Sequence, residues 1–268
     1  MLVAGFSGIC KTALINEVHK QIVKQRGYFI KGKFDQFNRN IPFSAFVQAF
    51  RDLMEQLLAE SDIEIANWQQ KTLKALGVQG QVIINVIPEL ERIICPQPPV
   101  SELAGSAAHN RFNLLFGNFL RVLATKEHPL VLFLDDLQWA DSASLNLLKL
   151  LMADSETGYL LILGAYRDNE LFSTHPLMLT LNEIQQQGVN INTLTLPFLS
   201  QTDINYLVVN TLICDLNIAA LLSQLIYQKH QINLFFLRIF GKNYIKIDRL
   251  LLTQMLFTGS VILPKFVS

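Results

Sequence analysis

Three features of the sequence predict an α/β fold built around a parallel sheet. Short apolar runs alternate with amphipathic stretches. Two of the runs, residues 130–135 and 159–166, are apolar almost without interruption, as strands buried on both faces are. The first run, residues 1–4, leads through a glycine-rich turn directly into a helical pattern.

Taken in order, strands are expected at residues 1–4, 28–34, 130–135, 159–166 and 191–196. Helices fall between them. One runs from the glycine-rich turn through residues 12–25. A second begins near Ser44, with Phe46, Phe50, Leu53 and Leu57 on one face. A third carries Phe112, Leu115, Phe116, Phe119 and Leu123 at spacings of three and four. Asp141 with Ser142 makes an N-cap before a fourth, and Pro96, Pro98 and Pro99 mark a loop that ends a helical hairpin. From Ser200 the character changes. Ser200-Gln201-Thr202-Asp203 opens a capped helix, residues 216–228 read as another, and no convincing strand follows. The expected organisation is a sheet domain over 1–199, a small helical lid over 200–240, and a tail over 241–268 without clear periodicity.

Half of the 268 residues are hydrophobic, enough for a substantial core, and 22 acids balance 22 bases. A neutral chain has no long-range attraction for nucleic acid or an anionic membrane. Lys31, Lys33 and Arg39 around Phe34 and Phe37 therefore read as a solvated strand end. Cys10, Cys95 and Cys214 have no metal-ligand spacing and read as free thiols of a reducing compartment. No basic, apolar leader precedes the first strand, and the longest nearly uncharged apolar stretch, 250–264, is too short to span a bilayer. A cytoplasmic protein is expected.

The chemistry begins at Gly5-Phe6-Ser7-Gly8-Ile9-Cys10-Lys11-Thr12, placed between a strand and a helix. The pattern G-x-x-x-x-G-K-[ST] cradles phosphates with successive backbone N–H groups and the helix N-terminus. Lys11 would reach the β- and γ-phosphates, and the Thr12 hydroxyl would bind Mg²⁺. Cys10 stands where the pattern has its second glycine. The second signal is the apolar strand that ends in Asp135 and Asp136. Asp135 would hold Mg²⁺, and Asp136 sits where a water-activating carboxylate belongs. The third is the strand that ends in Arg167, a cation placed to sense a γ-phosphate or to pair with Asp168.

Asp135-Asp136-Leu137-Gln138-Trp139-Ala140-Asp141 resembles the extended Walker-B signature of STAND ATPases, a signalling branch of the AAA+-like P-loop proteins. The segments 27–36 and 42–50 are similar to the ATPase module of large cyanobacterial-type multisensor serine/threonine–histidine kinases. The resemblance covers residues 1–240. It implies an additional-strand P-loop fold of sheet order 5-1-4-3-2 followed by a helical lid, with kinase or sensor domains of signalling proteins as partners. It also implies that Lys11 and Thr12 bind phosphate and Mg²⁺, that Asp135 holds Mg²⁺, that Asp136 polarises water, and that Arg167 is the sensor arginine. The sequence departs from the family at Cys10 and in the lid motif, where Ile232 and Leu234 replace the usual glycine and proline. The chain also begins at the first strand and ends in an unfamiliar tail, which suggests a detached, drifting copy.

The function expected is a Mg-ATP-binding switch with weak or lost hydrolysis. An interaction module that keeps the fold without nucleotide is the alternative. A small-molecule kinase ranks lower, because its lid would want arginines and only Arg238 and Arg249 are offered.

Overall fold

The computed structural model describes residues 1–9, 11–24, 26–154, 158–212, 217, 219–221 and 223–224. Its strands are β1 (Leu2–Ala4), β2 (Tyr28–Lys33), β3 (Leu130–Asp135), β4 (Leu160–Tyr166) and β5 (Thr193–Thr195). The helices are α1 (Lys11–Lys24), α2 (Ser44–Leu58), α3 (Asp62–Leu76), α4 (Gly80–Ile84), α5 (Glu91–Ile94), α6 (Gly105–Leu123), α7 (Ser142–Ala153), α8 (Pro176–Gln186) and α9 (Gln201–Leu212). The chain divides into two compact units, Met1–Phe6 with Lys11–Leu196, and Ser7–Cys10 with Pro197–Ser268.

In the first unit all five strands run parallel in the order β2-β3-β4-β1-β5, which is the expected 5-1-4-3-2 read from the other edge. Burial explains that order. The interior strands β3 and β4 are the two uninterrupted apolar runs, while β5 at the edge has three exposed residues. The β1–α1–β2 crossover carries the chain past two strand positions. Its helix lies on one face, where Ile15 packs with Val3, Phe29, Val131, Phe133, Leu163 and Ala165.

The other face carries the larger core. Alternate strand residues such as Ile30, Leu132 and Ile162 meet α2, α6 and α7 there. The four α2 residues placed on one face by sequence are all buried, as are all five named on α6. Phenylalanines pack across the two helices: the Phe50 and Phe116 ring centroids are 5.1 Å apart at 74°, and the ring of Phe43, the residue before α2, lies 4.9 Å from that of Phe112. Each such buried side chain contributes roughly 1.5–3 kcal/mol. Gly32 lets α2 approach this closely. A Cβ there would lie 1.8 Å from the Ala45 carbonyl oxygen.

At the amino end of β2, the Tyr28 hydroxyl and the Trp68 indole N–H both donate to the Glu60 carboxylate, and His128 stacks on Tyr28 at 5.5 Å. Helices α3 to α5 and α8, which periodicity left unassigned, fill the space around this core. The helix α8 opens on Pro176, with the His175 imidazole accepting from the Leu177 N–H at 3.2 Å.

In the second unit, α9 opens as expected. The Ser200 N–H donates to Asp203 Oδ2 at 2.9 Å, and the Asp203 N–H donates to Ser200 Oγ at 3.2 Å, a reciprocal cap. Of the helix expected over 216–228, residues 217, 219–221, 223 and 224 are helical and the others lie outside the described residues. The lid motif 232–236, Arg238, Arg249 and the tail 241–268 also lie outside them. No helix among the described residues is long and apolar enough to cross a membrane.

Candidate functional site

Strand alternation builds the site. The α1-side core takes Val3 from β1, Phe29 from β2, Phe133 from β3 and Ala165 from β4. Continuing in steps of two past the strand ends brings Gly5, Lys33, Asp135 and Arg167 to that same side. All four sit at the carboxyl edge of the parallel sheet, where α1 begins at Lys11. Ligands of open α/β sheets bind at this edge.

Of the glycine-rich turn, the sheet unit carries Gly5, Phe6, Lys11 and Thr12, while residues 7–9 cluster with the second unit and Cys10 lies outside the described residues. Gly5 and Gly8 have φ of 154° and 79°, backbone that a side chain would strain. Lys11 is buried, and its ammonium donates to the carbonyl oxygens of Gly5 at 2.7 Å and Phe6 at 2.9 Å. Burial holds its pKa below the ordinary lysine value, against the pull of the Asp135 and Asp136 charges. Thr12, one residue on, is exposed.

Asp135 ends β3. Burial first, and the neighbouring Asp136 charge second, raise its carboxyl above the usual range. The Asp136 N–H donates to Asp135 Oδ1 at 2.9 Å. No cation lies within ion-pair distance of Asp135 among the described residues. Asp136 takes a left-handed backbone, φ 53° and ψ 45°, and its side chain is buried. It is enclosed by Lys33 Nζ at 3.1 Å from Oδ2, and by Arg167 Nε at 3.4 Å and Gln138 Nε2 at 3.0 Å from Oδ1. The water-activating carboxylate expected from the sequence thus sits between two cations.

Arg167 is also drawn in by neighbours the sequence did not suggest. It pairs with Glu170 at 2.7 Å rather than with Asp168, and its guanidinium lies 4.6 Å from the Trp139 ring centroid. Lys33, read as a solvated strand end, belongs to the site, together with Gln138, Trp139 and Glu170. Asp141 caps α7 by accepting from the Ser144 N–H at 2.9 Å and the Ser144 hydroxyl at 2.6 Å. Nearly every residue of the Asp135–Asp141 run therefore has a separate task.

The residues fit a magnesium nucleotide. The positive φ of Gly5 and Gly8 suits a phosphate-cradling turn. The ammonium of Lys11 is held by the Gly5 and Phe6 carbonyl oxygens at the start of α1. Asp135 is a half-buried carboxylate that no cation among the described residues pairs with, and a carboxylate is a ligand that Mg²⁺ takes.

A parallel sheet of this order, with a glycine-turn lysine after β1 and an acid at the end of β3, is that of the P-loop nucleotide-binding class. Residues 1–163 match the AAA ATPase domain family, and the chain belongs to that family. Members use nucleotide and Mg²⁺ in general. The chain is also 44% identical over 152 residues to hybrid signal transduction histidine kinase G of Dictyostelium discoideum. The match spans 57% of this chain but 4% of that kinase.

Proposed function

We propose that this chain is a Mg-ATP-binding module of the STAND type that acts as a nucleotide-dependent switch within a signalling protein, with weak or lost hydrolysis. The observation that carries the reading is the convergence of Asp136 with Lys33 and Arg167 at the carboxyl edge of the sheet, where β3 ends at Asp135 and α1 begins at Lys11. In this reading the backbone of Gly5, Ser7, Gly8, Ile9 and Cys10 cradles the phosphates. Lys11 leaves the Gly5 and Phe6 carbonyls to neutralise them, and Thr12 and Asp135 supply oxygen ligands to Mg²⁺. The metal contributes charge neutralisation at the phosphates. Asp136 orients or deprotonates the attacking water once its cations are drawn off, and Arg167 distinguishes ATP from ADP. Weak turnover is in keeping with a carboxylate already neutralised by Lys33 and Arg167.

Kinase or sensor domains of the same signalling assembly are the partners this reading calls for. Calorimetric titration with Mg-ATP and Mg-ADP tests it. Binding that is lost in Lys11→Ala supports the switch. No binding at millimolar nucleotide, in the parent and in Cys10→Gly alike, would leave an interaction module that keeps the fold without the ligand.

A further inference from the structure

We propose that Gln138 is a positioning residue that fixes the Asp136 carboxylate and the Arg167 backbone as one unit, and that preference for ATP over ADP depends on it. The proposal rests on the nucleotide-binding reading above and adds a residue to it.

The argument starts where the β-ladder stops. Strands β3 and β4 pair in register from Leu130↔Leu160 to Leu134↔Gly164. At Asp136 the chain turns away through a left-handed conformation into the short 3-10 turn Leu137–Trp139. Main chain that would have continued the ladder beside the end of β4 is gone. The side chain of Gln138 takes its place: Oε1 accepts from the Arg167 N–H at 3.2 Å. The other end of the same amide, Nε2, donates to Asp136 Oδ1 at 3.0 Å. One planar group thus spans the acid of one strand and the cation of the next.

The amide is itself held. Gln138 is 3% exposed, so its two hydrogen bonds form away from solvent. With Oδ1 of Asp136 fixed by Gln138, Oδ2 turns to Lys33. With the Arg167 N–H fixed, the guanidinium can exchange Asp136, Glu170 and the Trp139 face for a γ-phosphate without the strand end following it.

Only an amide of this length does both tasks. Leucine does neither. An ionised glutamate accepts from Arg167 but cannot donate to Asp136, and it adds a charge beside it.

The test measures dissociation constants for Mg-ATP and Mg-ADP in the parent, Gln138→Leu and Gln138→Glu, with folding checked by circular dichroism. The parent is expected to prefer ATP. Both variants should hold ADP within about twofold of the parent and lose roughly tenfold of the ATP preference, the size of one charge-assisted contact. Equal weakening of both nucleotides or a retained preference overturns the proposal, as does a parent without preference. A parent that binds neither nucleotide removes the nucleotide-binding reading itself, which is a different result. Should Gln138→Leu fail to fold, the near-isosteric Gln138→Glu still decides.

Discussion

Lys33 and Asp135 are register partners across β2 and β3, yet the Lys33 ammonium goes to Asp136, 3.1 Å away, and not to the residue opposite it. The left-handed turn at Asp136 brings that carboxylate within reach of Lys33, and no cation among the described residues pairs with Asp135. Lys33 is 59% exposed and Asp136 only 5%, so the pair is partly screened. Lys33→Met should cost about 1 kcal/mol or less in urea unfolding, and the loss should shrink as salt is added. A cost that does not depend on salt would place the effect in packing of the lysine stem instead.

Asp136→Asn should preserve Mg-ATP binding and abolish whatever turnover the parent shows, because an amide keeps the shape but cannot accept the proton of water. Asp135→Ala should instead weaken binding of the magnesium complex by about tenfold or more. Unchanged phosphate release in Asp136→Asn would mean that the base lies elsewhere.

Asp135 should make stability depend on pH in an unusual direction. Its native pKa is raised, so between the ordinary carboxylate value of about 3.9 and the raised one the native state binds more protons than the unfolded chain. Stability contributed by this residue therefore falls as pH rises through that window and stays reduced at neutral pH. Asp135→Asn should be more stable than the parent at pH 7, with the gap closing below the ordinary pKa. Denaturant midpoints at the two pH values give the answer, and a variant less stable at pH 7 would contradict the sign. The expected gain is the usual exchange of stability for a functional charge.

Gly32→Ala should destabilise the sheet unit by roughly 1–3 kcal/mol or prevent folding, because the new Cβ meets a backbone carbonyl and not a movable side chain. Gly117→Ala makes the control. A Cβ on that α6 glycine meets nothing within 4 Å, and it should be neutral or stabilising by about 0.5–1 kcal/mol through helix propensity.

Cys10 lies outside the described residues, so its prediction comes from the sequence. A Cβ in a phosphate-wrapping turn costs about 1 kcal/mol where φ is positive. Cys10→Gly should therefore tighten ATP binding roughly tenfold. Bound ATP should also protect the parent thiol from alkylation. A thiol alkylated at the same rate with and without saturating ATP would separate Cys10 from the nucleotide.

The sequence revealed those parts of the fold in which neighbours along the chain are also neighbours in space. The two apolar strands, the phenylalanine faces of α2 and α6, and the caps at Asp141 and Ser200 are local patterns, and each is found where expected. Helices α3 to α5 were not read, because a narrow stripe with a polar member and two short helices give a weak period. In α3 only Trp68, Thr72 and Leu76 are buried, and α4 and α5 are too short for a period to show. Helix α8 does have a period in Leu177, Leu181 and Ile184, but it opens on a histidine, a residue outside the usual capping set. At the site, Asp135, Asp136 and Arg167 were legible because each ends an apolar run. Lys33 was not. Its partner is 103 positions away, and only the β2–β3 register joins them. Gln138 was hidden differently, since nothing in a sequence tells that a side chain will replace a missing rung of a ladder.

The chain has two tryptophans, and they stand at opposite ends of the sheet. Trp68 belongs to the amino-end cluster with Glu60 and His128, where only loss of the core changes its surroundings. The indole of Trp139 lies against the guanidinium that has to leave it for a phosphate. The intrinsic emission of the protein therefore divides into two reporters. Light from Trp68 follows unfolding, while light from Trp139 follows the position of one arginine. In Trp68→Phe the second signal stands alone, and the resting and ligand-engaged positions of Arg167 become distinguishable by fluorescence without any label being attached.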